Sequence, residues 1–240
     1  MSRKVRLALT ELRAGACVLR GAEARYLARV HRLTPGDAFM AFDVERKLEA
    51  EAEILGVDRE TVTCRIGEPG PARAVADRAV TLIQCAGKGD KVGDVIRAAT
   101  ALGAARIVIA ISARSVARPE QDPRKHERWR TIAIDAARQS ERGDLPEFDG
   151  PSPLAEVLDG LRAEQSHKLC LQPGAERTLA SALAEERSSP LTLLVGPEGG
   201  FDASELDRAR AAGFLPVRLG PFVLRTELAA VAALGAVLAG

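Results

Sequence analysis

Aromatic residues make up only 3% of this 240-residue chain, too few for the row of stacked rings with which many proteins hold single-stranded nucleic acid. The four cysteines, Cys17, Cys64, Cys85 and Cys170, are dispersed and lack C-x-x-C spacing. A chain of this length needs no disulfide staples, so they read as buried reduced thiols. The three histidines, His31, His126 and His167, have neither i,i+4 partners nor cysteine neighbours, and no metal site is expected. The longest uncharged apolar run, from Leu228 to the end, is too short to span a membrane. Glu11 and Arg13 interrupt the apolar stretch after Arg3, Lys4 and Arg6 before a signal-peptide core can form. A soluble, cytoplasmic protein is therefore expected, neither exported nor anchored. No internal repeat and no low-complexity segment is present.

A large excess of charge is missing too, since the net charge is +1. The distribution is more informative than the total. Residues 1–32 hold eight Lys/Arg against two Glu, and residues 33–73 hold five Lys/Arg against nine Asp/Glu. The N-terminal region thus has a basic end suited to phosphates, although segregation between two solvated faces would look the same. With 46% hydrophobic residues the chain can bury a substantial core, as one domain or two.

Alternation and turns such as Thr34-Pro35-Gly36-Asp37 predict short strands at Val5–Leu9, Cys17–Arg20, Ala38–Asp43, Leu48–Leu55 and Thr61–Ile66, with a helix over Ala22–His31. That pattern suggests a small barrel. The turn-rich segment Glu68-Pro69-Gly70-Pro71-Ala72-Arg73 predicts a boundary, giving domains of 1–72 and 73–240. Beyond it, strands near Val80–Cys85, Arg106–Ile111, Lys168–Gln172, Leu191–Val195 and Pro216–Leu219 alternate with helices. In the first of those helices Val92, Val95, Ile96, Ala99 and Leu102 share one face. The alternation argues for a parallel sheet covered by helices. The last helix, Leu228 to Ala239, is apolar on nearly all sides and should be buried on more than one face.

Two turns near the C-terminus carry the chemistry. The first is Leu193-Leu194-Val195-Gly196-Pro197-Glu198-Gly199-Gly200-Phe201, and the second is Leu219-Gly220-Pro221-Phe222-Val223-Leu224-Arg225-Thr226-Glu227. Each follows an apolar strand and precedes a helix, where an open α/β sheet offers backbone groups to a ligand. Neither a P-loop nor a G-x-G-x-x-G spacing is present, which disfavours nucleoside triphosphates and dinucleotides. Gly-Pro-Glu-Gly-Gly could also simply turn a strand into a helix, with Asp202 or Ser204 as cap. Arg225 tips the balance, because a planar cation in an apolar neighbourhood suits a carboxylate, a phosphate or a developing oxyanion. Its bland alternative is a structural ion pair with Glu198 or Glu227.

These two motifs resemble those of the bacterial 16S ribosomal RNA uracil-N3 methyltransferases, in the SPOUT superfamily. Supporting matches are Glu127-Arg128-Trp129-Arg130-Thr131-Ile132-Ala133-Ile134 with Gln139-Ser140, Arg114-Ser115-Val116, and Arg142 with Pro146-Glu147. The resemblance implies an α/β fold: a SPOUT-type parallel sheet with a C-terminal trefoil knot, preceded by a small PUA-like RNA-binding β-barrel. It further implies a homodimer and methyl transfer from S-adenosylmethionine to N3 of a uridine in the small ribosomal subunit. Leu171, Gln172, Gly196, Pro197, Glu198, Gly199, Gly200, Leu219, Gly220, Leu224 and Thr226 would hold the cofactor. Arg225 would stabilise charge on the base as the catalytic residue, and Arg3, Arg6, Arg29, Arg32, Arg114 and Arg142 would grip phosphates, though each could equally be an ordinary surface arginine. Four positions depart from the family pattern, and one of them is Leu228, where a Thr is common. Ala98 and Ala101 stand where a Lys and a Glu are usual, and Phe222 where an Arg is. They keep open a methyltransferase of another RNA or base, or a catalytically silent RNA-binding relative.

Overall fold

The computed structural model describes residues 4–87, 91–115, 123–186 and 190–238, and the chain divides into two compact units. The first comprises residues 1–75 and 137–145. Its strands are β1 (Arg6–Ala8), β2 (Gly15–Arg20), β3 (Ala38–Asp43), β4 (Leu48–Val57), β5 (Thr61–Ile66) and the two-residue β6 (Gly70–Pro71). The hydrogen-bonded path runs β1-β3-β4-β5-β2, with β6 on β4; β1 pairs parallel to β3 and the remaining pairs are antiparallel. A short helix α1 (Gly21–Arg25) runs on into a π-type turn over Tyr26–Val30.

Alternation explains how this sheet wraps its interior. Along β4, Ala50, Ala52 and Ile54 point inward while Glu51, Glu53 and Leu55 are exposed. They join Leu7, Leu19, Phe39, Ala41, Val62 and Cys64, with Ala24 and Leu27 of the helical segment, in one core drawn from all five longer strands. β3 is buried along almost its whole length, because its second face is covered as well. There Phe42 and Val44 pack with Ala137 and Leu145. This is the part of the first unit that the boundary reading missed. Residues 137–145 lie far along the chain from 1–75, and nothing local in them announces a partner so distant in sequence.

The second unit comprises residues 76–136 and 146–240. Its strands, β7 (Val80–Cys85), β8 (Arg106–Ile111), β9 (Glu147–Pro153), β10 (His167–Leu171), β11 (Leu191–Val195) and β12 (Leu215–Val217), form a sheet in the order β12-β10-β11-β7-β8-β9. Every pair is parallel. Its helices are α2 (Lys91–Leu102), α3 (Pro123–Ser140), α4 (Leu154–Gly160), α5 (Leu179–Glu185), α6 (Ala203–Ala211) and α7 (Thr226–Leu238); the C-terminal end of α3 counts with the first unit. The inner strands are apolar runs because helices cover both faces. On one face Ile83, Val108, Cys170 and Leu194 pack with Leu154 and Leu158 of α4 and Ala209 of α6. On the other, α2 and α7 pack against each other and reach β8 and β11.

β9 is not among the strands expected from the sequence. It is an edge strand, where a proline's missing donor costs no ladder bond, and its register against β8 shifts between Val108 and Ala110. The topology fixes where a ligand can sit. Chain order runs outward from β7 through β8 to β9, then returns to β10, β11 and β12 on the other side, so the strand order reverses beside β7. In such sheets the crevice lies outside the carboxyl ends of the strands near that reversal.

Candidate functional site

A cavity of about 350 Å³ opens at the carboxyl ends of β10, β11 and β12. Leu171, Gln172, Gly196, Pro197, Glu198, Gly200, Leu219, Gly220, Leu224 and Thr226 all line it, as does Arg225. The two sequence motifs thus converge on one pocket. Pro173, Val195, Phe201, Arg218 and Ala229, which the sequence reading did not single out, complete much of the wall. Gly199 does not line it. A side chain there would meet the Cβ of Arg114 at 3.2 Å, and the Gly199 carbonyl accepts a hydrogen bond of 2.8 Å from Arg114 Nη1. Gly199 therefore braces the back of the turn against Arg114.

The first turn is built for close approach. Gly200 adopts φ +69° and its N–H closes the turn on the Pro197 carbonyl at 2.9 Å. A Cβ on Gly196 would lie 2.9 Å from the Phe201 ring, so the ring can pack beneath the turn only if residue 196 has no side chain. Asp202 then starts α6 with a capping box: its carboxylate accepts from Glu205 N–H at 2.8 Å, and Glu205 Oε2 accepts from Asp202 N–H at 3.0 Å. Those bonds to Glu205 and Ser204 hold the Asp202 carboxyl below its ordinary range.

The second turn is tied to the first through a residue the sequence reading overlooked. Gln84, near the end of β7 and 2% exposed, donates from Nε2 to Thr226 Oγ1 at 2.9 Å. Thr226 in turn donates to the Gly196 carbonyl at 2.5 Å. This chain of bonds fixes the start of α7 against the glycine turn. A long polar amide inside an otherwise apolar strand was the available signal. Gln84 Oε1 is buried and has no hydrogen-bond partner among the described residues.

Lys91, at the start of α2, is the second overlooked residue. Its Nζ lies 2.9 Å from Glu198 Oε1 and 3.2 Å from Glu227 Oε2. The hydrogen bonds to Glu198 and Glu227 raise its pKa. The Glu227 carboxyl is held below its ordinary range first by its own backbone N–H at the helix start, then by Lys91 and Arg225. Glu227 is thus a helix-start carboxylate ion-paired with Lys91. The carboxylates that offered a bland partner for Arg225 are taken by Lys91. Arg225 itself is exposed, and among the described residues its guanidinium makes no hydrogen bond or ion pair.

The arginines expected to grip phosphates separate into distinct groups. Arg6 is 7% exposed, bonds Glu49 at 3.1 Å and the Arg142 carbonyl at 3.4 Å, and stacks over Phe42. Arg142 is 4% exposed and bonds Asp144 at 2.6 Å. Both are corrections, since a buried guanidinium locked to a carboxylate cannot reach a phosphate. Arg29, Arg32 and Arg114 are exposed. Arg29 and Arg25 line a surface groove with Arg59, Asp58 and Glu60, and Arg114 sits on the glycine turn. Arg3 and Val116 lie outside the described residues. No cluster of His, Cys, Asp or Glu able to hold a metal occurs among the described residues, and none of their helices is long and apolar enough to cross a membrane.

Comparison with known proteins fits this geometry. A family model described as an RNA methyltransferase domain matches residues 75–238, and one described as an RNA methyltransferase PUA domain matches residues 19–67. The ribosomal RNA small subunit methyltransferase E of Mycobacterium bovis is 35% identical over 229 residues, 92% of this chain and 85% of that protein. The chain belongs to the ribosomal RNA small subunit methyltransferase E family. Another member, from Bacillus subtilis, is 28% identical over 90% of this chain and 87% of its own. Among solved structures, the family enzyme of Neisseria gonorrhoeae bound to S-adenosyl methionine has a TM-score of 0.84 at 28% identity, covering 98% of this chain and 96% of that one. A Legionella pneumophila protein solved with the bound cofactor SAM has a TM-score of 0.86 at 29% identity, covering 99% and 98%. The family assignment, the α/β fold with its parallel sheet and the N-terminal PUA-like region are as the motifs implied.

Proposed function

We propose that this chain transfers a methyl group from S-adenosylmethionine to N3 of a uridine in 16S ribosomal RNA. The observation that carries the reading is Arg225: an exposed guanidinium that makes no hydrogen bond or ion pair among the described residues, at a cavity of about 350 Å³ lined mostly by Gly, Pro and apolar residues. That volume and lining suit a mid-sized ligand with a few polar groups. Leu171, Gln172, the turn from Gly196 to Gly200 and the stretch from Leu219 to Leu224 would hold the cofactor, and Thr226 fixes the two turns relative to each other. When bound, the cofactor supplies an electrophilic methyl group.

N3 of a neutral uracil carries a proton and is a poor nucleophile until that proton leaves. The deprotonated ring spreads charge over its carbonyl oxygens, and Arg225 is suited to stabilise that charge. It does not act as the base, because guanidinium does not deprotonate in proteins. The remaining contribution is alignment. Since N3 pairs in duplex RNA, the target base must be unpaired or turned out of its stack. Exposed Arg29, Arg32 and Arg114 serve as phosphate contacts, the first two on the residue 1–72 domain and the third on the 73–240 domain.

The same proposal includes the SPOUT trefoil knot, supported by the insertion of β11 between β7 and β10 and by the return of Thr226 to Gly196. It also includes a homodimer, supported by the exposure of Leu228 on α7, and a place in the cytoplasm beside the ribosome. Purified protein, labelled S-adenosylmethionine and small ribosomal subunits lacking the modification provide the test, read by nucleoside digestion and mass spectrometry. N3-methyluridine is the expected product. A different methylated nucleoside would redirect the specificity. Cofactor binding without methylation would favour the silent RNA-binding reading that Ala98, Ala101 and Phe222 motivate.

A further inference from the structure

Of the six Phe, one Tyr and one Trp in the chain, Phe222 alone is exposed. The others are committed to packing. Tyr26 lies under the Arg138 guanidinium at 4.7 Å, Trp129 packs against Phe148 with ring centroids 6.4 Å apart, Phe201 fills the space beneath Gly196, and Phe39, Phe42 and Phe214 are core residues. Phe222 is 80% exposed and its neighbour Val223 79%. A single exposed apolar residue on a protein surface is ordinary. This one lines the same cavity as Arg225, three residues away.

We propose that Phe222 is the surface on which the target pyrimidine stacks when it leaves the RNA, so that its ring is presented to Arg225 and the cavity. This rests on the reading of the cavity as the cofactor site. A base taken out of its stack loses the favourable contact of its two faces, and an aromatic ring at the point of entry restores one of them. Scarcity of aromatics excludes a platform for a run of bases, but one turned-out base needs one ring. The position also accounts for a departure from the family pattern. Phe222 holds the base by its π face and leaves the charged role to Arg225.

The test measures methylation of small ribosomal subunits under steady-state conditions, with sedimentation velocity in parallel. Phe222→Ala is expected to lower kcat/KM for RNA about tenfold, the size of effect that loss of one base–aromatic contact produces. Most of the loss should appear in KM for RNA, because the ring binds the base and touches no reacting atom. Phe222→Tyr and Phe222→Trp should restore activity, whereas Phe222→Leu, which keeps apolar area but has no π face, should not. An unchanged kcat/KM in Phe222→Ala overturns the proposal. So does rescue by Leu, or a shift of Phe222→Ala towards monomer that parallels its loss of activity, since either would mark Phe222 as an apolar contact with a second copy. If the parent protein neither binds S-adenosylmethionine by calorimetry nor methylates RNA, the reading beneath the proposal fails and the proposal falls with it. A parent enzyme that methylates while the Ala variant matches it sinks the stacking role alone.

Discussion

In the N-terminal unit Arg6 and Arg142 are 7% and 4% exposed, each locked to a carboxylate. In the C-terminal unit Arg225 is exposed, while nearby Glu198 and Glu227 are paired with Lys91. The residue type is the same and the physical situation opposite. A guanidinium inside a small sheet protein must bring its counter-charge with it, because an unpaired buried ion costs several kcal/mol. One left at a cavity with its possible partners already engaged keeps its donors for a ligand. The charge count over residues 1–32 could not separate these cases. It added Arg6 to the basic end although Glu49, forty-three positions later, cancels it in space.

The largest effect should come from breaking a buried pair. Glu49→Leu leaves Arg6 buried beside Phe42 without its carboxylate and should cost about 3–5 kcal/mol, measured by urea denaturation. Adding Arg6→Met in the same chain should recover most of that loss, since a well-packed apolar pair replaces an ion pair at little net cost. If the double variant is as unstable as the single one, the pair is not the source of the loss. Arg225→Ala tests the other side of the contrast. Transition-state stabilisation should fall by about 2–4 kcal/mol, as when an oxyanion donor is removed, while stability should change by no more than about 0.5 kcal/mol, as for a surface site. A normal single-turnover rate would remove Arg225 from the mechanism.

Smaller effects should come from the turn that positions the site. Gly196→Ala places a Cβ 2.9 Å from the Phe201 ring, and such overpacking should cost about 1–3 kcal/mol, seen as a lower Tm and weaker S-adenosylmethionine binding by calorimetry. Gly199→Val presses instead on the Cβ of Arg114 at 3.2 Å, a less severe contact than the 2.9 Å at Gly196, and should weaken binding less than Gly196→Ala. The reverse order would return Gly199 to the pocket wall.

How much of this could be read beforehand follows from where each signal resides. The strands Ala38–Asp43, Thr61–Ile66, Val80–Cys85, Arg106–Ile111 and Leu191–Val195 were legible to the residue, because side-chain alternation or an apolar run between turn residues is local. The pocket was legible as well, since both turns that form it are contiguous motifs. The strand at Glu147–Pro153 was hidden because proline reads as a breaker unless the strand is known to lie at an edge. Gln84 and Lys91 were hidden for another reason. Each acts through partners more than one hundred positions away, and only the fold brings Thr226 and Glu198 to them.

The mildest test concerns the Lys91 bridge, which closes the site electrostatically without forming its wall. The Lys91 side chain is partly exposed, at 30%, so the bridge should add little stability and weaken with salt. Its pH dependence is nevertheless distinctive. Glu227 has a lowered pKa in the fold, so its contribution is present above the ordinary value of 4.5 and is lost as pH falls through the lower folded value. Lys91 has a raised pKa, so its contribution is complete below the ordinary value of 10.5 and is lost as pH rises through the higher folded value. The stability difference between the parent chain and Lys91→Met should therefore stay level between those two limits and shrink outside them. Denaturation curves collected across that range check it. A difference that instead changes sharply near neutrality would mean that some group other than these two carboxylates is the true partner of Lys91. A null difference in stability combined with loss of S-adenosylmethionine binding would make Lys91 a ligand contact alongside Arg225.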